Sequence, residues 1–510
     1  MLAVFLCLTC SYTIYYNYCV YLRRVAFDAN RKLYQKMESI MKKHHGWTYH
    51  PYRPLLEETD IYICRMVTAE GSFTAYWLDM GEDSYSVYYK KSEDEDFTLF
   101  TKTSELSCTV SGLDDHTDYD FYIAAGDKKS AVRKAHTGKV LGTVVNYLHP
   151  QDPYYIFSGK FLCSPSMIRH PDGFLLASMD IYQGGAPQNL ALLFRSDDNG
   201  ESWYYINDLF PCFWPKMFIH KGVLYILACS TEYGDLLIGA SYDGGSTFTE
   251  PTILLRGSNG KAKQSGVHKN PQPVVEHNGR LYNTLEWGTW GKDFHACMVM
   301  SADVDSDLLD ADSWSFSEPL KYDSSWEGVP KEGKSAGTIE GTLVKLRDGK
   351  LYNIMRYDMH RLTPKYGYAL SFLVNDEDHD APLSFDSTIS FPANHSKFEI
   401  QYDSVSDRYY SIANLMTSPE EHDFRTHLVL LSSPDARNWS FVCDLIDERE
   451  RNPDGKRIGF QYVDFMFEGD DILYLCRTAD NEPGNFHDSN YITFHRIKNF
   501  RALPVSEEIL

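Results

Sequence analysis

The chain has 510 residues, 43% apolar, 14% aromatic and 24% charged, with 36 tyrosines and 28 phenylalanines; this is more than one ordinary core requires and describes a folded, strand-rich protein, which excludes a largely disordered one. A formal net charge of −22 repels phosphate backbones, and without a Lys/Arg stripe interleaved with aromatics it excludes nucleic acid as a partner. Any anionic ligand therefore needs a local basic pocket. The eleven cysteines lack CxxC pairing, and Cys229 and Cys476 sit inside apolar runs, so they read as small buried hydrophobes and give no disulfide framework or zinc site.

Residues 2–22 carry no charge and are long enough to span a bilayer, and Arg23 and Arg24 come directly after them. No basic stretch precedes them, so the pattern is not that of a secretory signal, and the charge bias favours a cytoplasmic side for the downstream domains. Residues 1–24 are thus a candidate membrane anchor, the other reading being a start site placed too far upstream. The corresponding localisation is membrane-anchored or cytoplasmic. Residues 25–56 form a helical linker in this reading, because Ala26 to Lys43 mixes apolar and basic residues at amphipathic spacing.

Over residues 57–140 the pattern changes to seven short alternating strands, among them IYICRMV, SFTAYWLD, YSVYYKK and YDFYIAAG, which predicts a β-sandwich. The stretch GLDDHTDYDFYIAAG places Leu113 six residues before Tyr119, and Trp77 stands in an early strand. This resembles the tyrosine-corner region of fibronectin type III modules, which implies a spacer or binding module without catalysis.

Over residues 147–503 the chain repeats itself. DGFLLASMD, KGVLYILAC, NGRLYNTLE, DGKLYNIMR, SDRYYSIAN and DDILYLCR share a turn followed by an apolar strand, with turn residues Gly173, Gly222, Gly279, Gly349, Asp407 and Asp470 lying 49 to 70 residues apart. That spacing suits four short strands per unit, and six units predict an all-β, six-bladed β-propeller behind the N-terminal sandwich. Closure would spare so many strands an exposed edge.

Between these units SDDNGESW (Ser196 to Trp203) and SYDGGSTF (Ser241 to Phe248) fit S-x-D-x-G-x-x-(W/F), and Ser433 to Trp439 is a shortened copy. They resemble the Asp-boxes of sialidases and related propellers. There the Asp accepts backbone N–H bonds, the Gly supplies a left-handed turn and the aromatic packs between sheets, all away from the reaction centre.

Propeller ligands bind near the axis, so equivalent positions of the repeats are compared as rings. Seven residues after each turn stand Asp180, Cys229, Glu286, Arg356, Asn414 and Arg477, and most are polar where a structural strand would continue apolar. A second ring precedes the turns: Ser164, Trp214, Asn270 with His268, Glu340, Lys397, and Gln461 with Tyr462. Part of both rings can equally serve to plug the tunnel.

The segment GTIEGTLVKLRDGKLYNIMR, with Glu340 and Arg356, resembles the sialidase pattern of an inner-strand Glu followed, through a DG turn, by an Arg that grips the substrate carboxylate. The resemblance implies Tyr462, in GFQYVDF, as nucleophile, Glu340 as its base and Asp180 as acid/base. A neutral Tyr avoids the repulsion that an anionic nucleophile meets near a substrate carboxylate. Substrate-binding candidates are Arg356, Arg477, Lys397, Glu286, His268, Asn414 and Gln461. The family's first-blade Arg-Ile-Pro is here Cys163-Ser164-Pro165, and Lys397 stands where a further Arg is expected, so the arginine triad is incomplete.

The expected function is an exo-glycosidase releasing a terminal sugar, an acidic one included, from a glycan with retention and with no metal or organic cofactor. A polysaccharide lyase using His268, Tyr462 and Lys397, a glycosidase using Asp180 and Glu286, and a non-catalytic carbohydrate-binding propeller remain open. His487, Asp488 and His495 in the last stretch read as part of a closing strand and loop, for want of compact ligand spacing.

Overall fold

The computed structural model describes residues 61–258, 264–290, 294–329, 337–358, 367–393, 396–418, 421 and 423–508. The expected membrane anchor (1–24) and helical linker (25–56) lie outside the described residues. Among the described residues no helix is long and apolar enough to cross a membrane, and nearly all regular structure is strand.

Alternating apolar residues build two antiparallel sheets over Ile63 to His136, one of three strands and one of five. Their inward faces share a core that includes Phe73, Trp77, Val87, Tyr119, Phe121 and Ile123. The Asp114 N–H donates to Tyr119 Oη at 2.9 Å, pinning the turn before the long strand Asp118–Ala125. The same core reaches Tyr147 and Tyr491. The Arg133–Asp152 pair, at 2.6 Å and almost fully buried, ties these sheets to the rest of the chain.

Six antiparallel sheets come next among the described residues. The first runs from Phe161–Arg169 to Tyr204–Leu209, the second from Phe213–His220 to Thr252–Leu255, and the third from Gly266–His268 to Trp314–Phe316. The fourth spans Gly337–Lys345 to Ser384–Ser390, and the fifth Ile400–Asp403 to Ser440–Asp447. The sixth takes Gly459–Glu468, Asp471–Ala479 and Tyr491–Ile497, then receives its fourth strand, Thr143–Tyr147, from before the first sheet. The reading that began the repeats at residue 147 left this strand between the two regions, because a five-residue segment paired across some 340 residues carries no local signal.

The repeated turns open each sheet's first hairpin. Gly173, Gly222, Gly279, Gly349 and Asp407 have positive φ, and in the sixth hairpin Gly469, one residue before the expected Asp470, takes that conformation. The first strands of the second, fourth, fifth and sixth sheets pack on the preceding sheet, and Gly459–Glu468 also packs on Phe161–Arg169 of the first, where the Met167 N–H donates to Asp464 Oδ2 at 2.7 Å.

The segments at Ser196 and Ser241 make the same turn. Asp198 Oδ1 accepts from Ser196 Oγ (2.8 Å) and the Ser202 N–H (2.9 Å), and Asp243 Oδ1 accepts from Ser241 Oγ and the Thr247 N–H, both at 2.9 Å. Gly200 has φ 92, and a Cβ there would overlap the Phe494 ring. Trp203 packs 5.7 Å from that ring, and the fully buried Trp439 lies 5.2 Å from Phe391.

Candidate active site

Four of the first strands carry a β-bulge at one common place. The ladder slips between Cys163 and Ser166, Phe213 and Lys216, Ile339 and Gly341, and Gln461 and Asp464. The residue that absorbs each slip, Ser164, Trp214, Glu340 or Tyr462, has positive φ. Left-handed backbone is costly for Trp, Glu and Tyr, and bulges re-aim side chains out of the ladder. These are four of the six positions of the second ring read from the sequence, and Asn270 with His268 and Lys397 do not share the slip.

Tyr462 Oη donates to Glu340 Oε1 at 2.7 Å, and Arg356 Nη1 donates to Glu340 Oε2 at 2.6 Å while lying 3.4 Å from Tyr462 Oη. Glu340 and Arg356 are buried, whereas Tyr462 stays partly open. Burial works against the Glu340 carboxylate, but Arg356 and the Tyr462 hydroxyl outweigh it and hold its pKa below the usual range. Burial first, then the Glu340 charge, pushes the Tyr462 phenol up. The phenol thus keeps its proton at rest, beside a carboxylate that can take it.

Two further arginines surround this trio. The guanidinium carbon of Arg477 lies 5.1 Å from the centre of the Tyr462 ring and 5.4 Å from that of Tyr182. Its Nε donates to Ser489 Oγ at 2.8 Å and its Nη2 to the His487 carbonyl. Arg425, buried in the fifth sheet's middle connection, donates through Nε to Gln461 Oε1 at 3.1 Å. Burial, with the neighbouring Arg356 charge next, brings its pKa down to about 10. Sequence reasoning missed Arg425 because it stands at no repeated position. A lone Arg between two apolar strands was the only signal.

Three other members of the first ring, Asp180, Glu286 and Asn414, do a different job. Asp180 Oδ2 accepts the N–H of Trp214 at 2.9 Å, Glu286 Oε1 that of Gly341 at 3.3 Å, and Asn414 Nδ2 donates to the Phe460 carbonyl at 2.8 Å. Each therefore clasps the first strand of a later sheet. Ser489, held by Arg477, likewise donates to the Leu162 carbonyl of the first sheet at 2.8 Å. Asp180 is fully buried, and burial raises its pKa to about 7. The acid expected at Asp180 thus already holds a bulge in place. Glu286 alone among these clasps spends its second oxygen on an imidazole, accepting from His268 Nδ1 at 2.8 Å.

Lys397 is not brought to Arg356. Fully buried, it donates to the Val463 carbonyl at 2.9 Å and lies 3.6 Å from Glu399. That cluster also holds the Lys216–Asp464 pair at 2.5 Å and Lys269. Gln461 lies beside Tyr462 but spends its amide on Arg425 and on the Phe486 carbonyl at 2.5 Å. Among the described residues no three His, Cys, Asp or Glu side chains are grouped to hold a metal.

No family model and no curated protein sequence matches the chain. Solved structures do. It is similar to an α-L-arabinanase of Penicillium chrysogenum complexed with arabinobiose (14% identity, 72% of this chain and 99% of that one, TM-score 0.47). It is similar also to a Hadza microbial sialidase (12%, 87% and 95%, 0.47) and to an ulvan lyase bound to a glucuronyl-rhamnose-3-sulfate ligand (10%, 86% and 93%, 0.41).

Proposed function

We propose that residues 147–503, joined by the Thr143–Tyr147 strand, form a closed six-bladed β-propeller of the sialidase type behind a fibronectin type III-like sandwich at 57–140, and that this propeller is a retaining exo-glycosidase. The observation that carries the reading is the Tyr462–Glu340–Arg356 trio at 2.6 to 3.4 Å. Tyr462 Oη attacks the anomeric carbon as its proton passes to Glu340, and Arg356 and Arg477 stabilise the charge that develops on the phenol oxygen. Water then releases the sugar and Tyr462 recovers its proton. The nucleophile starts neutral, which suits a sugar that carries a carboxylate.

Arg356 also grips an anionic substituent in this proposal, with Arg425 supporting it. Cys163 stands where the family's first-blade arginine is expected, so the grip has fewer charge-assisted bonds than a full triad, each worth about 1.5–3 kcal/mol. Uronides and neutral furanosides are therefore candidate substrates beside sialosides. Reporter release from aryl sialosides, uronides, rhamnosides and arabinosides tests this in the wild type and Tyr462→Phe. Release that is abolished in the variant is the expected result. An ultraviolet-absorbing unsaturated product in place of hydrolysis would make the protein a lyase, and sugar binding without turnover would make it a binding module.

A further inference from the structure

We propose that His268, oriented by Glu286, is the group that gives a proton to the departing oxygen of the glycan and takes one from water in the second step; this rests on the retaining glycosidase reading. The cross-strand register singles this histidine out. Cys163 faces Asp180, Phe213 faces Cys229, His268 faces Glu286, Ile339 faces Arg356 and Gln461 faces Arg477 at corresponding places in five sheets. In the third sheet alone of these five an imidazole faces a carboxylate.

A clasp between sheets needs only one carboxylate oxygen. Asp180 shows this, since its Oδ1 is buried with no hydrogen-bond partner among the described residues. Glu286 makes the equivalent clasp to Gly341 and has both oxygens engaged, the second on His268 Nδ1. A carboxylate only accepts, so Nδ1 carries the hydrogen of this contact and Nε2 is the ring nitrogen left for another partner. Nε2 has no hydrogen bond to any described residue. The ring is gripped by Trp214, 4.4 Å away, and by His295, 4.6 Å away.

The dyad is tied through Gly341 to Glu340, the base of the nucleophile, which precedes it on the bulge. His268 is near enough to Glu340 to be among the groups that lower the pKa of that carboxyl, after Arg356 and the Tyr462 hydroxyl. His295 is kept neutral by burial and by His268, and its Nε2 lies 3.2 Å from Tyr233 Oη.

The step balances without a co-reactant other than water. Tyr462 Oη bonds to the anomeric carbon while its proton moves to Glu340, the bond to the aglycone oxygen breaks, and that oxygen leaves with the Nε2 proton of His268. As water bonds to the anomeric carbon and yields a proton to neutral Nε2, the bond to Oη breaks, and the phenolate recovers its proton from Glu340.

The test compares two substrates of the same sugar, a 2,4-dinitrophenyl glycoside, whose leaving group needs no proton, and an alkyl glycoside, whose leaving group does. On the full chain, His268→Gln is expected to lose about 100-fold or more on the alkyl glycoside and less than about tenfold on the dinitrophenyl one. Added azide should restore turnover and yield a glycosyl azide. Thermal midpoints confirm that the variant is folded, and His268→Gln leaves the Glu286–Gly341 clasp in place. Equal losses on both substrates, or the same split appearing in Asp180→Asn, would overturn the role of His268 alone. A wild type inert on every glycoside, or an undiminished Tyr462→Phe, would overturn this role and the glycosidase reading together.

Discussion

Tyr462 and Asp464 are two residues apart on one strand and belong to opposite kinds of polar cluster. At Tyr462 the strand bulges, the backbone is left-handed, and a partly open phenol meets a carboxylate and an arginine. At Asp464 the ladder has resumed, and the buried carboxylate is matched by Lys216 and by the Met167 N–H. The second cluster holds sheets together with paired charges, while the first keeps a strained residue whose phenol is only partly buried. The bulge, more than the polarity, separates a site from a plug.

The comparison is broken most severely if the two variants behave alike. Tyr462→Phe is expected to cost about 10³-fold or more in kcat/KM, with a denaturation midpoint close to wild type, since Glu340 keeps Arg356. Asp464→Ala reverses the pattern. It strands Lys216 in the interior at a cost of about 3–5 kcal/mol, seen in urea denaturation, while turnover per folded molecule stays within about threefold of wild type.

Arg425→Gln sharpens the comparison from the side of the site. It removes one charge and is expected to raise KM about 10- to 100-fold for a glycoside bearing a carboxylate and little for a neutral one. Equal effects on both would confine Arg425 to holding Gln461.

The smallest effect belongs to Lys269, which burial brings down to about 8. A lysine depressed in the folded state binds fewer protons there than in the unfolded chain. Its penalty is fully present below about pH 8 and fades as pH rises toward the ordinary lysine value near 10.4. The stability of wild type relative to Lys269→Met should therefore rise across that window, as read from denaturation midpoints at several pH values. A flat difference would mean that the neighbouring carboxylates already satisfy this charge.

Much of the frame was legible because hairpins are local. A DG turn with its left-handed glycine sets the register of the two strands beside it; the resemblance to the sialidase pattern paired Glu340 with Arg356 across such a turn, and the structure sets Arg356 opposite Ile339 on that hairpin. The polar ring was legible as a period, but not its direction. Asp180, Glu286 and Asn414 each reach a different sheet from their own, and nothing within a repeat says which sheet stands next to it. Lys397 was placed with Arg356 on the same grounds, yet it sits among Val463, Glu399 and Lys269.

The sequence by itself determined the strands, their turns and the six-fold recurrence, since these arise from residue alternation and turn chemistry within some ten residues. Only the tertiary structure decided that Thr143–Tyr147 completes the sixth sheet, that Arg425 joins Arg356 and Arg477, and that His268 meets Glu286 beside the Glu340 bulge. Those meetings depend on how successive sheets pack and on where a ladder slips by one residue. Neither is written in the local pattern, because the contacts that settle them join residues far apart in the chain.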